Sequence, residues 1–128
     1  QDSMALARAD SLGRAGARES AIRMLERTER EAAARGDRRV AGRALAGQAE
    51  QFARRGRPRD AEQRARQGLG LAQAGRDTAG MLRALRWLAV SVGSQGRSAE
   101  MADWWRRALR VGGCAAAPSA AQSDAHPL

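Results

Sequence analysis

The chain has 128 residues, of which 23 are basic, 14 acidic and one a histidine, for a formal charge of +9. That length holds one domain with a modest core, and no apolar run reaches the roughly 20 residues needed to cross a bilayer, so membrane insertion is not expected. All the basic residues are Arg; with 30 Ala, 14 Gly and no Lys, Asn or Tyr, the charge fits nucleic acid or an acidic surface as partner, or equally a GC-rich coding bias.

In chain order, the spacing predicts an all-α fold of helices at about residues 2–14, 18–34, 38–54, 58–74, 78–94 and 98–111. Gly16, Gly56 and Gly96 punctuate successive helix pairs midway, and Gly36 and Gly75 are placed to take the left-handed conformation that ends a helix. Asp37 and Asp77 are expected N-caps, because a carboxylate there accepts from free first-turn amides. Pro58 sits where a helix starts without losing a hydrogen bond. Residues 112–128, rich in Ala, Ser and Pro, read as a flexible tail.

Eight acidic residues precede an arginine by four positions: Asp10/Arg14, Glu19/Arg23, Glu26/Arg30, Glu31/Arg35, Glu50/Arg54, Asp60/Arg64, Glu62/Arg66 and Asp103/Arg107. In a helix each such pair lies one turn apart, which predicts solvated intrahelical ion pairs. Leu, Ile, Val and Phe supply only 17 residues, which argues against high stability. Gly42, Gly47, Gly68 and Gly70 fall inside predicted helices and mark the second pair as the soft segment.

Residues 37–71 and 77–111 match at nine positions after a shift of 40: Asp37/Asp77, Arg43/Arg83, Ala44/Ala84, Leu45/Leu85, Ala49/Ala89, Gly56/Gly96, Arg57/Arg97, Arg66/Arg106 and Leu69/Leu109. Ala9, Leu12, Arg14, Gly16 and Ala21 form a fainter first copy. A period of this length is the signature of stacked helical hairpins. Residues 84–111 resemble the tetratricopeptide repeat family in its long-unit, about 40-residue form: Leu85, Leu88 and Ala89 match the first-helix positions, Gly96 the turn, Trp105 the second-helix aromatic, and Ala108 and Leu109 the helix end. Leu45, Ala49, Phe52, Gly56, Ala61 and Leu69 repeat the pattern, while Gln48, Met101, Arg8 and Glu29 depart from it. The resemblance implies three antiparallel helix pairs (about 2–34, 38–74 and 78–111) stacked as a short right-handed solenoid, and a non-catalytic scaffold that binds a peptide or protein in its concave groove.

On that implied groove one stripe per first helix gives Ser3, Ala7, Asp10 and Arg14, then Arg43, Gly47, Glu50 and Arg54, then Arg83, Trp87, Val90 and Ser94. Arg43, Glu50, Arg54, Arg83, Arg86 and Trp87 are therefore the candidate partner-binding residues, with arginines around an aromatic floor suited to an acidic peptide or terminal carboxylate. Trp105 is expected to pack on the preceding helix. Trp104 is expected to face partly outward, as an end-of-stack contact open to a partner or to self-association. Arg55, Arg57, Arg59 and Arg97 are the candidates for nucleic-acid contact, but no aromatic residues interleave with them for stacking. A third reading is an architectural segment of a longer solenoid or regulatory protein.

No chemistry beyond binding is expected. Without lysine there is neither a Walker loop nor a pyridoxal Schiff base, and no cofactor is implied. The lone cysteine, Cys114, forms no intramolecular disulfide, and His126 has too few neighbouring ligand types for a metal site. Ser123, Asp124 and His126, within four residues of one another, cannot be spread into triad geometry. The start at Gln1 is expected from a cleaved export signal or from excision from a longer protein.

Overall fold

The computed structural model describes residues 2–113, which form helices α1 (Asp2–Arg14), α2 (Arg18–Ala34), α3 (Arg38–Arg54), α4 (Pro58–Ala74), α5 (Thr78–Ser94) and α6 (Ser98–Gly112), and no strand. The boundaries are those expected, except that α6 runs on to Gly112 and takes that residue out of the expected tail. Cys114 and the rest of residues 114–128 lie outside the described residues.

One turn geometry recurs every 20 residues. Gly16, Gly36, Gly56, Arg76 and Gly96 all have positive φ, between 53° and 89°. The residue that follows each donates its amide to the carbonyl five positions back: Ala17 to Leu12, Asp37 to Ala32, Arg57 to Phe52, Asp77 to Ala72 and Arg97 to Val92, at 2.8 to 3.1 Å. Those are Schellman caps, whose penultimate residue must be left-handed. The expectation for Gly75 is corrected here: it has φ −90°, and Arg76 takes the left-handed position at φ 53°. The cap counts residues back from Asp77, so the order Gly-Arg puts the wrong residue where Arg35-Gly36 puts the right one.

Asp37 caps α3 by accepting from the Val40 amide at 3.1 Å. Asp77 turns its carboxylate to Arg43 at 2.8 Å through both oxygens, and the Gly80 backbone amide in the first turn of α5 is a smaller influence on it.

Helices α1, α3 and α5 touch one another directly, whereas α2, α4 and α6 meet little or not at all outside their own hairpins and the adjoining helices. The odd-numbered helices thus form the tighter, inner layer of a solenoid-like stack, and the even-numbered helices the outer one. Inside the second pair the glycines have a use. A Cβ on Gly42 would stand 3.3 Å from the Gly68 carbonyl oxygen, and one on Gly68 would stand 3.0 Å from the Gly42 carbonyl oxygen. Their absence lets α3 and α4 approach backbone to backbone. Gly47 likewise leaves room for Leu25, whose methyls lie 3.1 Å from where its Cβ would be. Only Gly70, with nothing within 4 Å, is a helix glycine without a packing role among the four.

The core divides unevenly. A large cluster joins the second and third pairs through Ala46, Ala65, Leu69, Leu85, Trp87, Leu88 and Val92. The first pair is tied to the second by two small clusters, Ala9/Leu25/Ala44 and Ile22/Phe52/Ala61.

Candidate functional site

The inner layer carries the candidate groove residues, and their charges are largely satisfied within the protein. Arg83 of α5 reaches back across the layer to Asp10 of α1 at 3.2 Å and Glu50 of α3 at 3.0 Å. Glu50 also accepts from Arg54 at 3.0 Å. Arg43 forms the two-bonded pair with Asp77, whose side chain is only 5% exposed. The Arg43 hydrogen bonds hold the Asp77 carboxyl below its ordinary range, and the Arg43 guanidinium is in turn held more firmly protonated. The Arg43–Asp77 pair is a bolt between the second and third helix pairs, since a fork-shaped guanidinium bound through two nitrogens fixes orientation as well as distance; Arg83 reaches both Asp10 and Glu50 through one nitrogen.

Trp87 is not an open floor. It is 8% exposed and belongs to the main core cluster. Two guanidiniums, those of Arg54 and Arg86, lie 5.3 Å from its ring centroid, within cation–π range. Arg54 also has its carboxylate, Glu50. Arg86 is exposed, and among the described residues no carboxylate lies within ion-pair distance of it. The candidate set is thus brought together on one layer, but only Arg86 stands as an uncompensated cation beside the aromatic ring.

The outer edge is organised differently. Arg97, at the start of α6, binds Glu62 of α4 at 2.8 and 3.2 Å and Glu100 at 2.7 and 2.8 Å. Arg66 joins both carboxylates, at 2.8 and 3.1 Å, and Gln95 donates to Glu62 at 2.9 Å. The hydrogen bonds from Arg97, supported by those from Gln95 and Arg66, push the Glu62 carboxyl down to about 2. Glu100 is lowered by the same guanidinium. Arg55 pairs with Glu19, and Arg57 pairs with Asp60 while lying over the Phe52 ring. Of the turn arginines considered for nucleic acid, Arg59 is therefore the one for which no ion pair is formed among the described residues.

No family model, curated protein or solved structure matches this chain. The tetratricopeptide resemblance accordingly stands on the residues that carry it, and the site is read from geometry.

Of the eight expected intrahelical pairs, Glu50–Arg54 and Glu62–Arg66 form. Asp10 goes to Arg83, Glu19 to Arg55 and Glu26 to Arg64, each on another helix. Asp60 and Asp103 take the arginine three residues away, Arg57 and Arg106. Arg23 bonds Ser20 instead of Glu19. A carboxylate at a helix seam has more than one guanidinium in reach, and one-dimensional spacing does not rank them.

The tryptophan pair also resolves. The Trp104 Nε1 donates to Glu100 at 3.4 Å, and Arg66 of α4 lies 5.3 Å from its ring. Trp104 is half-buried: one side of it meets the preceding pair through Arg66, and Arg107 of its own helix also lies over the ring, at 5.5 Å. Leu109 of α6 is 40% exposed, and Trp105, one turn before it, is half-buried. The shift of 40 carried the missed signal: Leu109 aligns with Leu69, which is 6% exposed because α5 covers it.

Proposed function

We propose that the protein is a non-catalytic protein-interaction scaffold whose inner helical layer receives a peptide or protein segment carrying an acidic side chain. The observation that carries this reading is Arg86. It is exposed, it has no carboxylate partner among the described residues, and it lies against Trp87. An incoming carboxylate meets that cation without breaking an internal ion pair, whereas capture by Arg43 or Arg83 would first have to displace Asp77, or Asp10 and Glu50.

The test is capture from the source lysate with nuclease-treated controls, followed by affinity measurements with the captured partner. Charge-assisted bonds are worth roughly 1.5 to 3 kcal/mol, so Arg86→Glu should weaken an acidic partner at least about tenfold, while the same change at Arg23 leaves it unaltered. A partner bound equally well by Arg86→Glu, or captured only when nucleic acid is intact, would overturn the reading.

A further inference from the structure

The groove between the first and second helix pairs differs in charge from its counterpart one repeat further on. A pocket of about 380 Å³ opens there, lined by the α1–α2 turn, by Arg18, Glu19 and Ser20 of α2, and by Arg54 and Arg55 at the end of α3. The shift of 40 maps residues 17–22, 54 and 55 onto residues 57–62, 94 and 95. The first set holds three arginines and one glutamate. The second sets Arg57 and Arg59 against Asp60 and Glu62 and is neutral. Ser20 and Ile22 stand where the later groove has Asp60 and Glu62, and Arg54 and Arg55 stand where it has Ser94 and Gln95.

The later turns supply their own anion at the start of the even-numbered helix. Asp60 pairs with Arg57 and Glu100 with Arg97, both at 2.7 Å. On α2 the equivalent residue is Ser20, whose hydroxyl takes a bond from Arg23, and no side chain caps the helix. Glu19, the acid of that first turn, is bound to Arg55. The first-turn amides of Arg18, Glu19 and Ser20, at the positive end of the helix dipole, are thus left without a capping anion. Arg18 adds a charge with no counter-ion. Its Nε is closed off from solvent and makes no hydrogen bond, and no carboxylate pairs with its guanidinium among the described residues. A half-buried cation of this kind is costly to hold alone, and an anion in the pocket offsets that cost.

We propose that this pocket binds a phosphate group carrying two charges, as a monoester or as the free ion. At neutral pH such a group has a charge of about −1.5 to −2 and three strong acceptor oxygens. The donors come from two elements: the α2 amides and Arg18 on one side, the arginines at the end of α3 on the other. Arg54 and Arg55 keep Glu50 and Glu19, and a guanidinium has five N–H donors, enough for a second oxyanion. A carboxylate, with one charge and two oxygens in a plane, meets fewer of these donors. The site is independent of Arg86, although Arg54 lies over the same tryptophan.

The experiment is titration of the whole isotope-labelled chain, followed by its amide chemical shifts at constant ionic strength and neutral pH. The probes are inorganic phosphate, phenyl phosphate, dimethyl phosphate and chloride, and the variants are Arg18→Gln, Ser20→Asp and Arg59→Gln. Circular dichroism matching wild type shows that each variant is folded. Inorganic and phenyl phosphate should give saturable shifts centred on Ala17, Glu19 and Ser20, and dimethyl phosphate, a diester with a single charge, should bind far more weakly. Arg18→Gln should weaken the doubly charged probes about tenfold. Ser20→Asp, which gives α2 the carboxylate that Asp60 gives α4, should abolish their binding. Arg59→Gln removes an exposed cation at the equivalent turn and should change nothing. Phenyl phosphate binding more tightly than inorganic phosphate supports a carried phosphate group, and the reverse order supports the free ion; the site stands in either case. Shifts that chloride reproduces, binding retained in full by both Arg18→Gln and Ser20→Asp, or a preference for dimethyl phosphate would overturn the proposal.

Discussion

The joint between the second and third helix pairs and the joint between the first and second follow one geometry with different materials. At the C-terminal joint Leu69, Leu85, Trp87, Leu88 and Val92 pack in a single cluster, and Arg97, Arg66, Glu62 and Glu100 lock its outer edge while Arg43 and Asp77 lock its inner one. At the N-terminal joint the position of Leu88 is held by Gln48, 0% exposed, whose Nε2 has no partner, and Gln51, 2% exposed, has an Oε1 without one. Among the described residues, the ion pairs between these two helix pairs are Glu19 with Arg55, and Glu26 with Arg64 at 4.0 Å. A repeat sets where helices go. Cohesion depends on what each copy places at the shared positions, and here it rises toward the C-terminus.

The largest expected break in this contrast is Leu88→Ala, which empties a site with 0% exposure at the centre of the stronger joint. It should cost about 3 to 4 kcal/mol, against about 2 for Leu25→Ala, where the surroundings are thinner. Urea denaturation of both variants measures the difference. Acid comes next. Glu62, Glu100 and Asp77 have lowered pKa values in the folded protein, Glu62 about 2, so their contribution is complete above the ordinary carboxylate range and lost as pH falls from there toward 2. Acid titration followed by tryptophan fluorescence should show Trp87 and Trp104 changing in that window, and Glu62→Gln should flatten the dependence.

Smaller changes sharpen the comparison from the other side. Gln48→Leu gives the weak joint the residue of the strong one and relieves an unbonded buried amide. It gives up one bond from Arg64 at 3.0 Å, and the net gain should be about 1 kcal/mol. Thermal unfolding reads it directly. Arg76→Gly places glycine at φ 53° and should stabilise by about 1 kcal/mol. Gly70→Ala, into open space on α4, should add no more than about 0.8 to 1.

The helix limits were legible because their signals are local: a left-handed glycine, a capping aspartate and a first-turn proline act within a few residues of where they stand. Arg76 shows the limit of that reading, since the turn's place is fixed by its register with Asp77 and not by where the glycine falls. The glycines of the second pair were legible as helix weakeners. Their mutual contact was not, because Gly42 and Gly68 meet only once α3 and α4 are packed. The close approach of α3 and α4 that these glycines allow weighs against the second pair as the soft segment. The candidate residues lie together on the odd-numbered helices, but Arg43 and Arg83 looked free because Asp77, Asp10 and Glu50 reach them from other helices.

Residue-resolved hydrogen exchange tests the unequal joints most directly. Buried amides of α5, at Ala84, Leu85, Leu88, Ala89 and Val92, should be the slowest to exchange, and those of α2, at Ala21, Ile22, Leu25, Thr28 and Ala32, should open earlier and at lower denaturant. Equal protection of the two helices, or α2 outlasting α5, would contradict the account.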